Sequence, residues 1–401
     1  MGRSGRDLQL LVGAVGLSAL GDWLALVPLA LHLEERTGSG LVVAVLFVAV
    51  WSPAILLAGP AGLLADRRDA RRVLLAVSIA QAAVSVGLAF VSGTIPILLL
   101  TLALGTGFAL AQPAEFTLVP AVAGEARVVV ANGRIETARY VGFTIGPLVG
   151  GLLAATGSIT AAMLVNALTF LAVALVALVV RPRSRSAQVA AGVLAARDRA
   201  RDGVVFLFRE RTLAIVIGVA FVSLLFMTAS ASAEVFFARD VLEIGEFGYG
   251  ALIASWTLGM AVGASLVARH VTVAVMAVAA LVAIFVQGAG LALPTLWLVA
   301  PFAFFGYALG GVAHGTKNVL VRTLMHERIP ERLHGRAFAA YNGIRNAAEL
   351  VALVGGGALV VAIGARWTLL LAGAVPMGVA VVALLLAGKR LALQVTAEVP
   401  A

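Results

Sequence analysis

The sequence predicts an all-α polytopic membrane protein, with twelve transmembrane helices in two pseudo-symmetric six-helix bundles. Three observations carry that expectation. Hydrophobic residues make up 61% of the 401-residue chain and charged residues only 12%, with a mean hydropathy of +1.05; globular domains carry roughly 25% charged residues. Apolar runs recur from end to end, each close to the roughly 20 residues that a helix needs to span the hydrocarbon layer. A segment opening at Pro120 is echoed 210 residues later, where Pro120, Asn132, Gly133 and Gly146 match Pro330, Asn342, Gly343 and Gly356. Such an echo is the remnant expected of a duplication into two parallel repeats.

In order, the first span is expected at Leu8 to Leu33 and the second at Leu41 to Leu64, followed by the basic loop ADRRDARR from Ala65 to Arg72. A third span, Val73 to Val91, turns over SGTIP into a fourth, Ile95 to Ala111. A loop from Gln112 to Val130 leads to the fifth span, which opens at Asn132 and closes near Ala155; the sixth runs from Thr160 to Val180. Arg181 to Arg211 carries eight arginines and is the natural linker. Spans seven to twelve fall near 212–237, 249–268, 271–292, 295–316, 337–362 and 366–387. The domains are therefore residues 1–180 and 212–401, joined by a cytoplasmic linker at 181–211.

The net charge of +9 does not point to nucleic acid, because the basic residues gather in alternate loops. With the N-terminus inside, only Arg36, Arg239 and Arg366 fall on outer segments, and Arg139, Lys317 and Arg345 fall within or at the edge of spans; the rest of the 29 Lys and Arg residues are cytoplasmic. That asymmetry puts both termini in the cytoplasm. The first apolar run carries Asp22 and has no small-residue cleavage site, so it reads as a retained span rather than a secretory signal. No cysteine is present, which excludes disulfides and thiolate metal sites. His326-Glu327 begins like HExxH, but Pro330 stands where the second ligand would be, and no P-loop sequence occurs. Neither a zinc hydrolase nor an ATP-driven pump is indicated. The bias to Ala, Val, Leu, Gly and Arg, with two lysines, is that of a high-GC bacterial genome.

The stretch from Asn132 to Gly151 concentrates the most information. Glu136 and Arg139 lie three residues apart, ahead of Gly142-x-x-x-Gly146-Pro147-x-x-Gly150-Gly151. Glycines at helical spacing let another helix approach closely. Pro147 removes one backbone donor and bends the helix, which neighbouring helices can tolerate. A moving seam and plain packing both fit this pattern.

At these motifs the chain resembles the major facilitator superfamily, and within it the drug and siderophore exporters of the macrolide-efflux and enterobactin-export group. Gly62-Leu63-Leu64-Ala65-Asp66-Arg67-Arg68-Asp69-Ala70-Arg71-Arg72 is similar to the superfamily signature between spans two and three, with Asp69 in place of its second glycine. Gly142 to Gly151 is similar to the motif of proton-coupled antiporters. Gln112-Pro113-Ala114 with Leu118-Val119-Pro120 and Ala131-Asn132 is similar to the exporters' loop between spans four and five. The arginine that many drug antiporters carry within span four has no counterpart here; either Arg139 replaces it or the coupling differs.

The resemblance implies a gating latch at Gly62, Asp66, Arg67 and Arg71, with Asp66 pairing to an arginine or a helix N-terminus across the inter-half seam. The arginines alternatively set topology and bind anionic lipid. Asp22 lies in the middle third of span one, where an ionised carboxylate costs at least about 2.5–3.5 kcal/mol on insertion scales. It is either the proton- or cation-coupling group or a structural hydrogen-bond partner. Glu136 and Arg139 are further coupling candidates or a structural pair on one helical face, and Arg345 with Glu349 share that ambiguity. Glu234 lies on span seven, which lines the central cavity in the superfamily. Together with Asp22, Phe226 and His314 it completes the cavity candidates, while His314 and Lys317 are expected at the inner end of span ten. Phe221, Phe302, Phe304 and Phe305 are aromatic walls or packing residues.

The expected function is export of an amphipathic small molecule, such as a macrolide-like drug or siderophore, by proton antiport with alternating access. The protein is not expected to be an enzyme, and the proton gradient is its energy source, with no cofactor and no metal. Expected partners are the small-molecule substrate, protons and the lipid bilayer, with no nucleic acid; the chain is expected to be a monomer in the inner membrane of a bacterium. An importer or facilitator of the same fold, or a non-transporting sensor on this scaffold, are the alternatives.

Overall fold

The computed structural model describes residues 3–58, 60, 61, 64, 68–123, 128–180, 205, 207–267, 275–330 and 333–397. Among these residues all regular structure is helical. The helices are α1 (Arg3–Thr37), α2 (Gly40–Leu56), α3 (Ala70–Phe90), α4 (Thr94–Ala123), α5 (Val128–Ala155) and α6 (Ile159–Val179). They continue as α7 (Arg211–Phe236, ending in a π-turn at Phe237–Val241), α8 (Gly245–Val267), α9 (Met276–Leu296) and α10 (Ala300–Arg328). The stretch His334–Ala397 is two helices, α11 (334–363) and α12 (365–397), broken where Gly364 adopts φ 80° and ψ 165°. A side chain is strained in that region, and glycine is the residue that adopts it freely. Each expected span thus has a described helix, although α2 is shorter than the usual span and α10 is not among the described helices long and apolar enough to count as one.

Local chemistry explains the starts. Asp69, the residue that departs from the signature pattern, is the N-cap of α3 and accepts from Arg71 N at 3.0 Å. Ser158 caps α6 through Ala161 N, and Glu210 caps α7 through Leu213 N. These side chains satisfy amides that the first turn leaves without carbonyl partners.

Two boundary expectations are corrected. Gln112 to Ala123 is not a loop but the last part of α4, and helix resumes at Val128. Helix α4 continues through Pro113, as packed membrane helices can where the freed carbonyl finds another partner. The tenth helix runs on to Arg328, so His314 and Lys317 lie in its interior rather than at its end. Helix α5 passes through Pro147 without a break.

The described residues fall into two compact units, one within Met1–Ala191 and Ile244–Ala254, the other within Gly192–Glu243 and Ser255–Ala401. Each is built on backbone-to-backbone approach at glycines. In the first, a Cβ at Gly105 of α4 would meet the Val50 carbonyl of α2; in the second, a Cβ at Gly311 of α10 would meet the Trp256 carbonyl of α8. Both glycines and both carbonyls are 206 residues apart. The same spacing relates buried Gln81 of α3 to buried Gln287 of α9. It also relates two ties: Thr160 donates to Ala89 O at 3.0 Å, joining α6 to α3, and Arg366 donates to Thr295 O at 2.9 Å, joining α12 to α9. Arg366 further lies 6.0 Å from the Trp367 ring, and Trp297 packs edge-on against Phe302.

This spacing corrects the 210-residue echo. At 206, Gly150-Gly151 falls on Gly356-Gly357 and Arg139 falls on Arg345. Four residues are about one helical turn, so the echo found the right face in the wrong register. In the first unit Gly142, Gly146 and Gly150 follow Gly16, Leu20 and Leu24 of α1 turn by turn; in the second, Gly356 lies on the Ala229 carbonyl of α7.

Adjacent glycines give a controlled test. A Cβ on Gly356 has no room, whereas one on Gly355 meets nothing within 4 Å. Thermal unfolding of purified protein is expected to show Gly356→Ala destabilised by about 1–3 kcal/mol, the usual range for overpacking. Gly355→Ala is expected to match or exceed the parent, since alanine in a helix gains roughly 0.5–1 kcal/mol over glycine.

Candidate functional site

Asp22 of α1 opens into a cleft inside the first unit. The cleft is lined by Trp23 and Leu29 of α1, Trp51 of α2, Thr101 and Phe108 of α4, Phe143 of α5 and Asn166 of α6, among others. The glycine contacts place these side chains: Gly146 brings α5 against Trp23 and Leu20, and Gly105 brings α4 against α2. Trp51 packs edge-on against Phe108 at 5.9 Å between ring centroids, and Trp23 against Phe143 at 6.3 Å. The walls are thus aromatic, and an aromatic face attracts a cation as well as apolar surface.

Two polar groups in the cleft lack protein partners among the described residues. Asp22 makes no hydrogen bond or ion pair there, and the buried Thr101 hydroxyl has none. A buried polar group left without a partner costs about 1–3 kcal/mol, so the Thr101 hydroxyl is one that a ligand would satisfy, and the half-buried Asp22 at the cleft wall is a second group open to a ligand or proton. Asn166, by contrast, is engaged: its amide donates to Ser85 Oγ at 3.3 Å and its Oδ1 accepts from Thr169.

Beside Asp22, in electrostatic reach of it, lies an ion pair that the sequence reading missed. Arg139 Nη2 donates to Glu115 Oε2 at 2.8 Å, both side chains being largely covered (14% and 12% exposed). The expected pair with Glu136 also exists, at 3.3 Å, but the Glu136 side chain is 51% exposed. The shorter bond and the deeper burial make Glu115 the principal partner. A signal exists in the sequence: an arginine inside a span needs a carboxylate, and Glu115 lies in the stretch expected as a loop.

The remaining candidates separate. Gly62, Asp66 and Arg67 lie outside the described residues. Arg71 donates to the carbonyls of Ala177 and Leu178, capping the C-terminus of α6 from the first turn of α3. Gly151 lies against Glu246 to Gly250, and Pro147 O against Gly250, in the segment that clusters with the first unit. Phe226 is half-buried on α7. Glu234 is half-buried near the end of α7 and accepts from Ser230 Oγ at 3.4 Å. It stands 205 residues after Leu29 of the cleft, the same spacing that takes Leu24 of α1 to Ala229 of α7. His314, 206 residues after Phe108, is buried, with its ring 5.7 Å from that of Trp256. Phe305 is 63% exposed and lines no cavity described here.

Two repeated helical units in one membrane protein are an architecture that secondary transporters share. The chain belongs to the Major Facilitator Superfamily, whose family pattern matches residues 11–353. It is 26% identical to a Bacillus subtilis (strain 168) protein described as the uncharacterized MFS-type transporter YfiS, over 97% of this chain and 95% of that one. Its fold matches the nucleoside transporter NupG (TM-score 0.72, 16% identity, 96% and 99% of the two chains). It also matches a bacterial homologue of the lysosomal transporter Spinster (TM-score 0.70, 15% identity, 99% and 98%). A third match is a POT peptide transporter (TM-score 0.72, 11% identity, 96% and 95%). The protein is therefore an integral membrane transporter and not an enzyme.

The two partners of Arg139 are expected to differ in mutagenesis. Glu115→Gln leaves a covered guanidinium without its main counter-charge and should cost about 3 kcal/mol, as breaking a buried pair does. Glu136→Gln removes an exposed contact worth about 0–1 kcal/mol. Thermal unfolding of the two variants beside the parent reads the difference.

Proposed function

We propose that this transporter exports an amphipathic small molecule, drug-like or siderophore-like, in exchange for protons. It would sit in the inner membrane of a bacterium with both termini in the cytoplasm, residues 1–180 and 212–401 acting as two bundles joined by 181–211. The observation that carries the reading is Asp22, a carboxylate without a protein partner in an aromatic cleft. A proton and a cationic substrate group would compete for it: in surroundings this apolar an ionised carboxylate needs one or the other. Loading one releases the other, and that competition is exchange.

In this cycle the substrate's apolar body lies on Trp23, Trp51, Phe108 and Phe143, and its charged or polar group meets Asp22 and the Thr101 hydroxyl. The Glu115 and Arg139 pair, with Glu136 at its exposed end, gives protons a chain of polar groups toward Asp22. Gly142, Gly146 and Gly150 hold α5 against α1, so that Asp22 and Phe143 keep their relation while the helices move as a body.

Substrate-induced proton movement in proteoliposomes carrying an imposed pH gradient tests the reading, with macrolides, hydrophobic cations and siderophores as the panel. At least one compound is expected to dissipate the gradient with the parent, and Asp22→Asn is expected to reduce that response at least tenfold at equal protein content. Equal responses from both proteins would make Asp22 structural and pass the coupling role to Glu115 or Glu136. Uptake of a labelled compound without any proton movement would replace antiport with facilitated transport.

A further inference from the structure

The second unit buries basic groups where the first buries an ion pair. Arg345 stands 206 residues after Arg139, but α10 offers it no acid at the matching position, where Val321 occupies the place of Glu115. Arg345 instead turns to its own helix and pairs with Glu349 at 2.9 Å. One turn away on α10, Lys317 occupies the place of the core residue Ala111 and is 3% exposed. Its ammonium lies 3.3 Å from His314 Nδ1, and among the described residues no carboxylate comes within 4.0 Å of it. The charged groups that act on it from α11 are Arg345 and Glu349. Two cations therefore share one carboxylate, which Arg345 already holds. Buried charges in native proteins are paired, and an ionisable group buried inside a transporter's helical bundle marks a ligand path by default.

We propose that Lys317, with His314 and Arg345, forms an anion-recognition site inside the second unit, taking the carboxylate or phosphate group of a bound molecule. The anion would stand where the Glu115 carboxylate stands in the first unit. Lysine supplies a point charge with three donors and arginine a planar fork, a combination suited to either oxyanion. Trp256, against His314, and Tyr341, stacked on Phe221 at 5.5 Å, flank the cluster with flat apolar faces. The site involves none of the residues of the Asp22 cleft. It rests on the transport reading only for the anion's being part of the cargo; binding itself does not require turnover.

The test is thermal unfolding of the full chain in phosphatidylcholine nanodiscs, titrated at constant ionic strength with benzoate or inorganic phosphate. The parent's unfolding temperature is expected to rise saturably, as it must when a ligand binds only the folded state. Lys317→Gln should weaken the apparent affinity at least tenfold, Lys317→Arg should stay within about threefold, and Asp22→Asn should respond as the parent does. Without anion, Lys317→Gln should be at least as stable as the parent, because it removes an unpaired buried charge. Glu349→Gln gives an arm that leaves Lys317 in place: freeing Arg345 should tighten binding several-fold. If soluble anions have no effect but phosphatidylglycerol in the nanodisc stabilises the parent and not Lys317→Gln, the site stands and the anion is a lipid headgroup. A flat titration in every medium, or equal responses from parent and Lys317→Gln, would overturn the proposal. Failure of the antiport experiment with a positive titration here would remove the transport reading and leave the site.

Discussion

The contact on which each unit depends is the meeting of two helix backbones with no side chain between them. At Gly105 and Val50, and again at Gly311 and Trp256, a glycine carries a neighbouring carbonyl where a Cβ would otherwise be. In a bilayer, lipid tails are as apolar as leucine, so burying apolar surface gives helices little reason to associate. Close van der Waals contact supplies that reason, and glycine permits the closest approach. Everything that points into the cleft, from Trp51 and Phe108 to Phe143, takes its position from these approaches.

Within that repeated frame the two units have spent their polar residues differently. The first has an acid free of protein partners, Asp22, and a neutralised pair, Glu115 with Arg139. The second keeps the arginine, loses the partner on α10, and adds a lysine and a histidine. His314 stands at the place of Phe108, so a titratable ring replaces an apolar one, and its tryptophan neighbour, Trp256, stands at the place of Val50 rather than of Trp51. Duplication fixed the packing, whereas the chemistry diverged at positions that packing leaves open.

The fold was legible from the sequence because a span needs only length and apolarity, and both are local. Asp22 was legible for the same reason: a carboxylate in the middle of an apolar run is conspicuous without knowing its neighbours. Glu115 was not, because Gln112-Pro113 resembles a turn and helix α4 continues through it; Glu136 was preferred as the partner of Arg139 because it is close in sequence. The aromatic walls were invisible for another reason. A helix that is apolar on every side has no polar face to show which side points inward, so Trp23 and Trp51 look no different from lipid-facing residues. Glycines recur at both three- and four-residue spacings, and a one-turn slip between repeats keeps the face while losing the register.

The tie between α12 and α9 has a consequence for the lipid. Arg366, Trp367 and Trp297 gather where these two helices meet, and both tryptophans are 57% exposed. Arginine and tryptophan at a helix end settle at the headgroup level. The corresponding positions of the first unit are Thr160, Ala161 and Val91, which have no such preference. The second unit therefore has a fixed depth at that surface, whereas α3 and α6 can slide or tilt to follow bilayer thickness at small cost. Acyl-chain length then becomes a variable that the meeting of α9 and α12 resists and that of α3 and α6 follows.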